Sequence, residues 1–367
     1  MHEIRHAADA IHQPRIAQRA PALPQRHPVG GPSRGGTDAV GDEHVARGAA
    51  SDEIGHGAQD RGRRRPVSIH PPWQPALTAM TRGCAMRGMT RPHIEWIQAQ
   101  ALPWQRDAIA ARDGADAKIL SRDDATGAVS CIIRYPAGYS RGPEWLAADE
   151  EFWVLDGGIA IDGVEYGEHT YAHLPKDMPR SGFSSAKGAA VLTFFSATPV
   201  ATQGGQGRAF DERRLVRRLA AADNIWDGDF AAMGLQSMAS TARMRRLRTD
   251  PDTGEITYLT ATIAFRQGER SERHPVVQEF FLISGELAGD LGTMQSGAYC
   301  WRPPFFKHAP YGSPTGTLLL FRSVGGPQTT DWEDPDQPFT WKPDHKPVLP
   351  PELAPLMAKP WPRPERY

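Results

Sequence analysis

The residues best suited to chemistry lie in SERHPVVQEFFLISG, Ser271–Gly285. The stretch has the rhythm of a metal-binding β-hairpin: polar ligand types, then an apolar strand, then a glycine. Alternate side chains of a strand face the same way. Glu272 and His274 therefore project to one side, and Gln278, Phe280 and Leu282 line one face of the next strand. Imidazole combined with carboxylate suits Fe, Mn, Ni or Zn. One histidine stands where such a hairpin usually has two, and the Gln278-Glu279 pair stands where one glutamate is expected.

The elements that must position these residues occur twice. PEWLAADEEFWVLDGG, from Pro143, aligns without a gap on SERHPVVQEFFLISGE, from Ser271. Glu144 falls on Glu272, Leu146 on His274, Glu150 on Gln278, Glu151 on Glu279 and Gly157 on Gly285. At the same offset Pro175 falls on Pro303 and Arg180 on His308, and further upstream LSRDDATGAVS (Leu120–Ser130) matches LRTDPDTGEIT (Leu247–Thr257). Three matched blocks in one order imply a duplicated domain, with halves expected at 90–205 and 206–332. In the second half EITYLTATIAF, EFFLISGEL, GAYCWRP and GTLLLFRSV are rich in β-branched and aromatic residues and separated by turn residues, so four strands are predicted. One helix is predicted between the halves over Asp211–Asp223, with Leu215, Leu219 and Ala222 on its apolar face. The end of the chain, 333–367, is proline-rich and predicts an extended tail that wraps over a barrel or trails into solvent.

The bulk composition narrows the classes. A net charge of −1 gives no field for nucleic acid or membrane. Cys84, Cys131 and Cys300 are odd in number and far apart, which argues against a disulfide framework and suits a reducing compartment. No apolar run is long enough to span a bilayer, and the first 30 residues lack a secretory apolar core, so a cytoplasmic location is expected. The 36 glycines and 33 prolines favour turn-rich β architecture. There is no phosphate-cradling glycine loop, no GxSxG elbow and no paired Cys/His zinc pattern.

Residues 1–88 are a different material, poor in large aliphatics and without sustained periodicity, so they are expected to be disordered. They contain no lysine and more than half of the 13 histidines. This is the bias of a GC-rich upstream stretch read from too early a start, and the expected start is Met86 or Met89. The run RGRRRP, Arg61–Pro66, is read as a solvated tail rather than a nucleic-acid patch.

The paired blocks resemble the cupin superfamily, in particular bicupins with halves like the cupin domain of ChrR-type anti-sigma factors. PPFFKHAPY (Pro303–Tyr311) is similar to the segment that supplies that branch's last metal ligand. The resemblance covers most of residues 115–325. It implies an all-β fold of two tandem cupin (double-stranded β-helix, jelly-roll) barrels. Carried over residue by residue, it implies a metal site of Glu272, His274, Gln278 and His308, with Glu279 in place of Gln278 if a loop bulge shifts the register. The usual three histidines and one glutamate thus become two histidines, one glutamate and one glutamine or glutamate. In the first half Glu144, Leu146, Glu150 and Arg180 take the same places. Leucine cannot ligate and arginine repels a cation, so one divalent ion (Fe, Mn, Ni or Zn) is expected in the second barrel only, with Arg180 salt-bridged to Glu144 or Glu150 in the first. His169 and His173 lie outside the motif positions.

The implied activity is that of a metal-dependent, dioxygenase-like enzyme on a small organic substrate of enol or diketone type, with Glu272 or Glu279 moving protons. The alternatives are a non-enzymatic ligand- or metal-sensing module and a metal-free binder of a small molecule such as a sugar or carboxylate. Phe280, Tyr299, Trp301, Phe305 and Phe306 suggest an apolar-walled pocket, although at strand spacing most would be core. The expected partner is a small molecule, with neither nucleic acid nor membrane, and barrels that pair through edge strands make a homodimer an expected assembly.

Overall fold

The computed structural model describes residues 90–204, 207–222 and 242–361. The expected extension over 1–88 lies outside the described residues. Nearly every element is an antiparallel strand, organised in two large sheets that each curl into a barrel. The first sheet runs Val216–Ala220, Thr170–Leu174, Glu150–Ile161, Ala189–Phe195, Val129–Tyr135, Asp116–Arg122 and Gln105–Arg106 in spatial order. The second runs Ile94–Gln98, Ala298–Arg302, Val277–Gly289, Thr317–Val324, Ile256–Thr262 and Ala242–Thr249. The four strands predicted in the second half are all present, with ends shifted by up to three residues.

The repeated sequence blocks have local physical causes. In DDATG the Asp123 carboxylate accepts from the backbone N–H groups of Ala125 and Thr126, and in DPDTG Asp250 accepts from those of Asp252 and Thr253. These are side-chain-closed turns, finished by Gly127 and Gly254 at φ +71° and +72°. Gly157 and Gly285 lie within the motif strands at positive φ beside a bulge. A Cβ there would lie 2.2 Å from the carbonyl oxygen of Gly188 or 1.9 Å from that of Gly316, so only glycine fits.

Two elements depart from the sequence expectation. The helix predicted over Asp211–Asp223 is instead a 3-10 turn at Glu212–Arg214, capped by Asp211, and a strand at Val216–Ala220. The strand pairs Val216 with His173 and Leu219 with Tyr171, so an open sheet edge outweighs the local helical preference. Ile94–Gln98 lies within the expected first half, 90–205, yet pairs with Ala298–Arg302 of the second sheet. Each barrel thus edges its sheet with a strand that leads into the other half. Of the two courses open to the C-terminal tail, it takes the wrapping one. Val348 and Glu95 exchange backbone hydrogen bonds, the N–H of Lys346 donates to Leu291, and Met357 is buried.

The barrels join through a shared apolar layer that includes Ile132, Trp153 and Leu192 from one and Phe281, Tyr299 and Leu320 from the other. Within that layer lies a buried charge cluster. The Arg322 guanidinium donates through Nε to Glu151 of the first barrel at 2.8 Å and through Nη1 to Glu279 of the second. Tyr171 and Thr257 also donate to Glu151, at 2.6 and 2.5 Å, and Tyr299 to Glu279, at 2.7 Å. Ser130 of the first barrel donates to Glu279. Removing one partner from such a set leaves uncompensated charge. Arg322→Leu is expected to lower unfolding free energy by roughly 3–5 kcal/mol, measured by urea denaturation. Adding Glu151→Gln and Glu279→Gln should recover much of that loss.

Candidate metal centre

The two barrel interiors have diverged at matched positions. The first is filled by a continuous apolar cluster that includes Tyr135, Tyr139, Phe152 and Phe183. The smaller interior cluster of the second is Ala242, Met244, Ile256 and Tyr258. Tyr135, paired with Ala189, is replaced by Thr262, paired with Thr317. Tyr139, paired with Ser185, is replaced by Arg266, paired with Ser313. The lost ring volume leaves a cavity of about 100 Å³ in the second barrel, lined in part by Glu272, Gln278, Phe280, Arg302 and Phe321.

At one side of this cavity Glu272, His274 and His308 bring a carboxylate oxygen and two imidazole nitrogens within 4.8 Å of one another. Glu272 and His308 are held together by reciprocal backbone hydrogen bonds of 2.9 and 3.0 Å, as Glu144 and Arg180 are in the first barrel. His274 Nδ1 lies 2.9 Å from the Thr329 carbonyl oxygen, and His308 Nδ1 lies 3.0 Å from that of Phe306. A carbonyl can only accept, so each ring carries a proton on Nδ1, which leaves Nε2 as the nitrogen available to ligate. His308 Nε2 is buried without a hydrogen-bond donor and faces the Glu272 carboxylate at 3.3 Å. Two acceptors at that separation are favourable only with a cation between them, either a proton or a metal ion. Lone-pair nitrogens, a carboxylate and this unpartnered atom fit a divalent ion.

Charge states at neutral pH agree with that fit. Burial holds the His274 imidazole down to about 4, against the opposing pull of the Glu272 carboxylate. Burial pushes the Glu272 carboxyl up, but His308, His274 and Arg302 together draw it down to about 2. Glu272 is therefore a carboxylate and His274 a neutral imidazole at neutral pH, as ligation requires.

The structure separates the two alternatives at 278 and 279. Gln278 faces the cavity, but Arg302 donates to its side-chain oxygen and its amide nitrogen lies 3.0 Å from His274 Nε2. The oxygen that would ligate is committed to Arg302, so the expected fourth ligand is not offered. Glu279 points the other way, into the charge cluster between the barrels, so the expected proton-transfer role has no access to the cavity. Tyr299 points there too, and Trp301 lies beneath the Arg91 guanidinium at 4.2 Å. Phe305 is exposed. Of the five aromatics singled out in sequence, Phe280 lines the cavity.

In the first barrel the matched positions are closed by charge. Arg112 bridges Glu144 at 2.9 Å and Glu150 at 2.6 Å, Arg180 pairs with Glu150, and Arg141 with Glu144 at 2.7 Å. The expected pairing of Arg180 is present, and Arg112 is an addition that no motif position signals. Arg302 is the matching omission in the second barrel. It ties Gln278 to Glu95 of the crossing strand at 2.5 Å and to the Tyr311 hydroxyl at 2.8 Å. His173 donates to or accepts from nothing in either site; its Nδ1 lies 2.8 Å from the Arg214 carbonyl oxygen.

The ChrR cupin-like domain family matches residues 228–326. Among solved structures, a putative dioxygenase from Nostoc punctiforme PCC 73102 superposes with a TM-score of 0.60 at 14% identity, covering 69% of this chain and 94% of that one. Oxalate decarboxylase from Bacillus subtilis gives 0.43 at 11% identity over 68% and 80%, and hazelnut (Corylus avellana) vicilin 0.43 at 8% over 65% and 88%. At these identities the likeness is one of fold. No curated protein matches the chain. Among the described residues no helix is long and apolar enough to cross a membrane.

A pH dependence follows from His274. Its folded value of about 4 lies below the ordinary 6.5, so between those values the unfolded chain binds the extra proton. Stability of the metal-free protein should therefore fall as pH drops from 6.5 towards 4, with His274 contributing up to about 3 kcal/mol. His93 and His173, also lowered by burial, act in the same direction. Urea midpoints at pH 7.5 and 5 should show the loss, and His274→Ala should reduce the difference between them.

Proposed function

We propose that this chain, which belongs to the cupin superfamily, holds one divalent metal ion in its second barrel and acts as a dioxygenase-like enzyme on a small organic substrate. The observation that carries the reading is the convergence of Glu272 with two imidazoles whose lone pairs are fixed by backbone carbonyls. Two histidines and one carboxylate form the donor set of facial-triad Fe(II) sites, which leave positions open for substrate and O₂. Such an ion, when bound, supplies Lewis acidity and brings O₂ and substrate together.

The chain's own residues do the rest. Thr329 and Phe306 hold the two rings in their ligating tautomer. Glu272 supplies the balancing negative charge. Arg302 fixes the Gln278 amide with its N–H groups towards the site, where they can meet a substrate oxygen once His274 is engaged. Phe280 and Phe321, 5.3 Å apart, wall the cavity and limit water. The first barrel serves as a packing partner, its site closed by Arg112 and Arg180.

A second reading, a metal-free ligand-binding barrel, is favoured by the Gln278–His274 contact, which satisfies His274 without an ion. Elemental analysis after reconstitution with Fe(II), Mn(II) or Zn(II) separates the two. The metal reading expects about one equivalent per chain, with at least a tenfold loss of affinity in His274→Ala and in His308→Ala. Wild-type protein that retains no stoichiometric ion supports the metal-free reading instead. Oxygen uptake by the loaded protein with candidate substrates then distinguishes enzyme from sensor.

A further inference from the structure

The cavity beside the Glu272–His274–His308 cluster contains an arginine with nothing to do. Arg266 lines it, is half-buried, and its Nε is shielded from solvent without a hydrogen-bond partner. Among the described residues no carboxylate forms an ion pair with it. The other two arginines of the lining are engaged. Arg302 spends its three nitrogens on Glu95, Gln278 and Tyr311, and the exposed Arg270 donates to the Trp332 carbonyl oxygen at 3.0 Å.

The duplicate shows that this charge is not required by the fold. The first-barrel residue at the same register is Tyr139, packed on Tyr135 at 5.0 Å and on Phe183 at 5.8 Å. An apolar ring is the stabilising solution there. A guanidinium without an ion-pair contact in a half-buried position costs desolvation energy; the Glu272 carboxylate offsets part of that cost, and the Arg266 pKa remains drawn down. Glu272 is the lining residue of opposite charge, and it belongs to the proposed metal cluster.

We infer that the second-barrel cavity binds a small monocarboxylic acid, with the carboxylate on Arg266 and an apolar body against Phe280, Phe321 and Tyr258. A guanidinium meets a carboxylate with two parallel hydrogen bonds, which suits it to a planar anion over a neutral carbonyl. The ring of Tyr258 stacks on Phe321 at 5.1 Å and 10°, giving the body of the ligand a flat wall. The cavity is open to solvent on one side, and its volume of about 100 Å³ suits the body of a compact acid. The identification of the acid as substrate rests on the metal-dependent reading above, but its binding does not.

Calorimetric titration of the full chain with benzoate and with benzamide tests the inference, on chelator-treated and Zn(II)-loaded protein in parallel. Benzoate is expected to bind at least tenfold more tightly than benzamide. Arg266→Gln should bring the two within about twofold, and Arg266→Lys should keep part of the preference. Among the described residues the Arg266 side chain makes no hydrogen bond or ion pair, so both variants should keep the wild-type circular dichroism and melt no lower than wild type. Wild-type protein that does not bind benzoate, that binds both probes equally, or an Arg266→Gln variant that keeps the preference overturns the inference. Failure of the metal reading appears separately, as absence of metal in protein that still discriminates benzoate through Arg266.

Discussion

Arg322 is held between two glutamates that water cannot reach, Glu151 from one barrel and Glu279 from the other. That interaction sets more than the join. Side chains alternate along a strand, so anchoring Glu279 at the interface turns Gln278 and Phe280 to the interior. Anchoring Glu151 does the same for Glu150 in the first barrel. A slip of one residue would bury a glutamate in the cavity and strand Arg322 without a counter-charge. The reciprocal donors, Ser130 to Glu279 and Thr257 to Glu151, tie each choice of face to the opposite barrel.

Given that shared frame, the two interiors solve the same electrostatic problem differently. The first contains two inward carboxylates, Glu144 and Glu150, and neutralises them with Arg112, Arg141 and Arg180. The second has glutamine in place of Glu150 and histidine in place of Arg180. There the charge of Arg302, which holds Gln278, is balanced by Glu95, and Glu272 faces two imidazoles. The loss of Tyr135 and Tyr139 equivalents opens space beside that group. Glutamine for glutamate, histidine for arginine and smaller side chains for two tyrosines all fall in one copy, and together they distinguish a lined cavity from a filled barrel.

Much of this was legible in the sequence because it follows from period and repeat. The matched blocks carried the duplicated turns at Asp123 and Asp250, the glycines at 157 and 285, and the placement of Glu272, His274 and His308. Tertiary partners decided what was not legible. Nothing local marks Asp211–Asp223 as other than a helix, since the sheet edge that recruits Val216–Ala220 is remote in sequence. The choice between Gln278 and Glu279 depends on Arg322, more than 40 residues on. Arg112 reaches the first site from a short turn with no periodic signal, and Arg302 takes a register matched by Leu174. Arg266 carries no sequence signal for the opposite reason: among the described residues no side chain forms a hydrogen bond or ion pair with it.

The central claim is that one copy of a duplicated barrel keeps a metal site and the other has replaced it with ion pairs. The most direct measurement is an anomalous difference map from crystals grown with Mn(II). The account requires one peak per chain, within ligating distance of His274 Nε2, His308 Nε2 and a Glu272 carboxylate oxygen, with no density between Glu144 and Glu150. A peak in the first barrel, or an ion bound away from these three side chains, would contradict it.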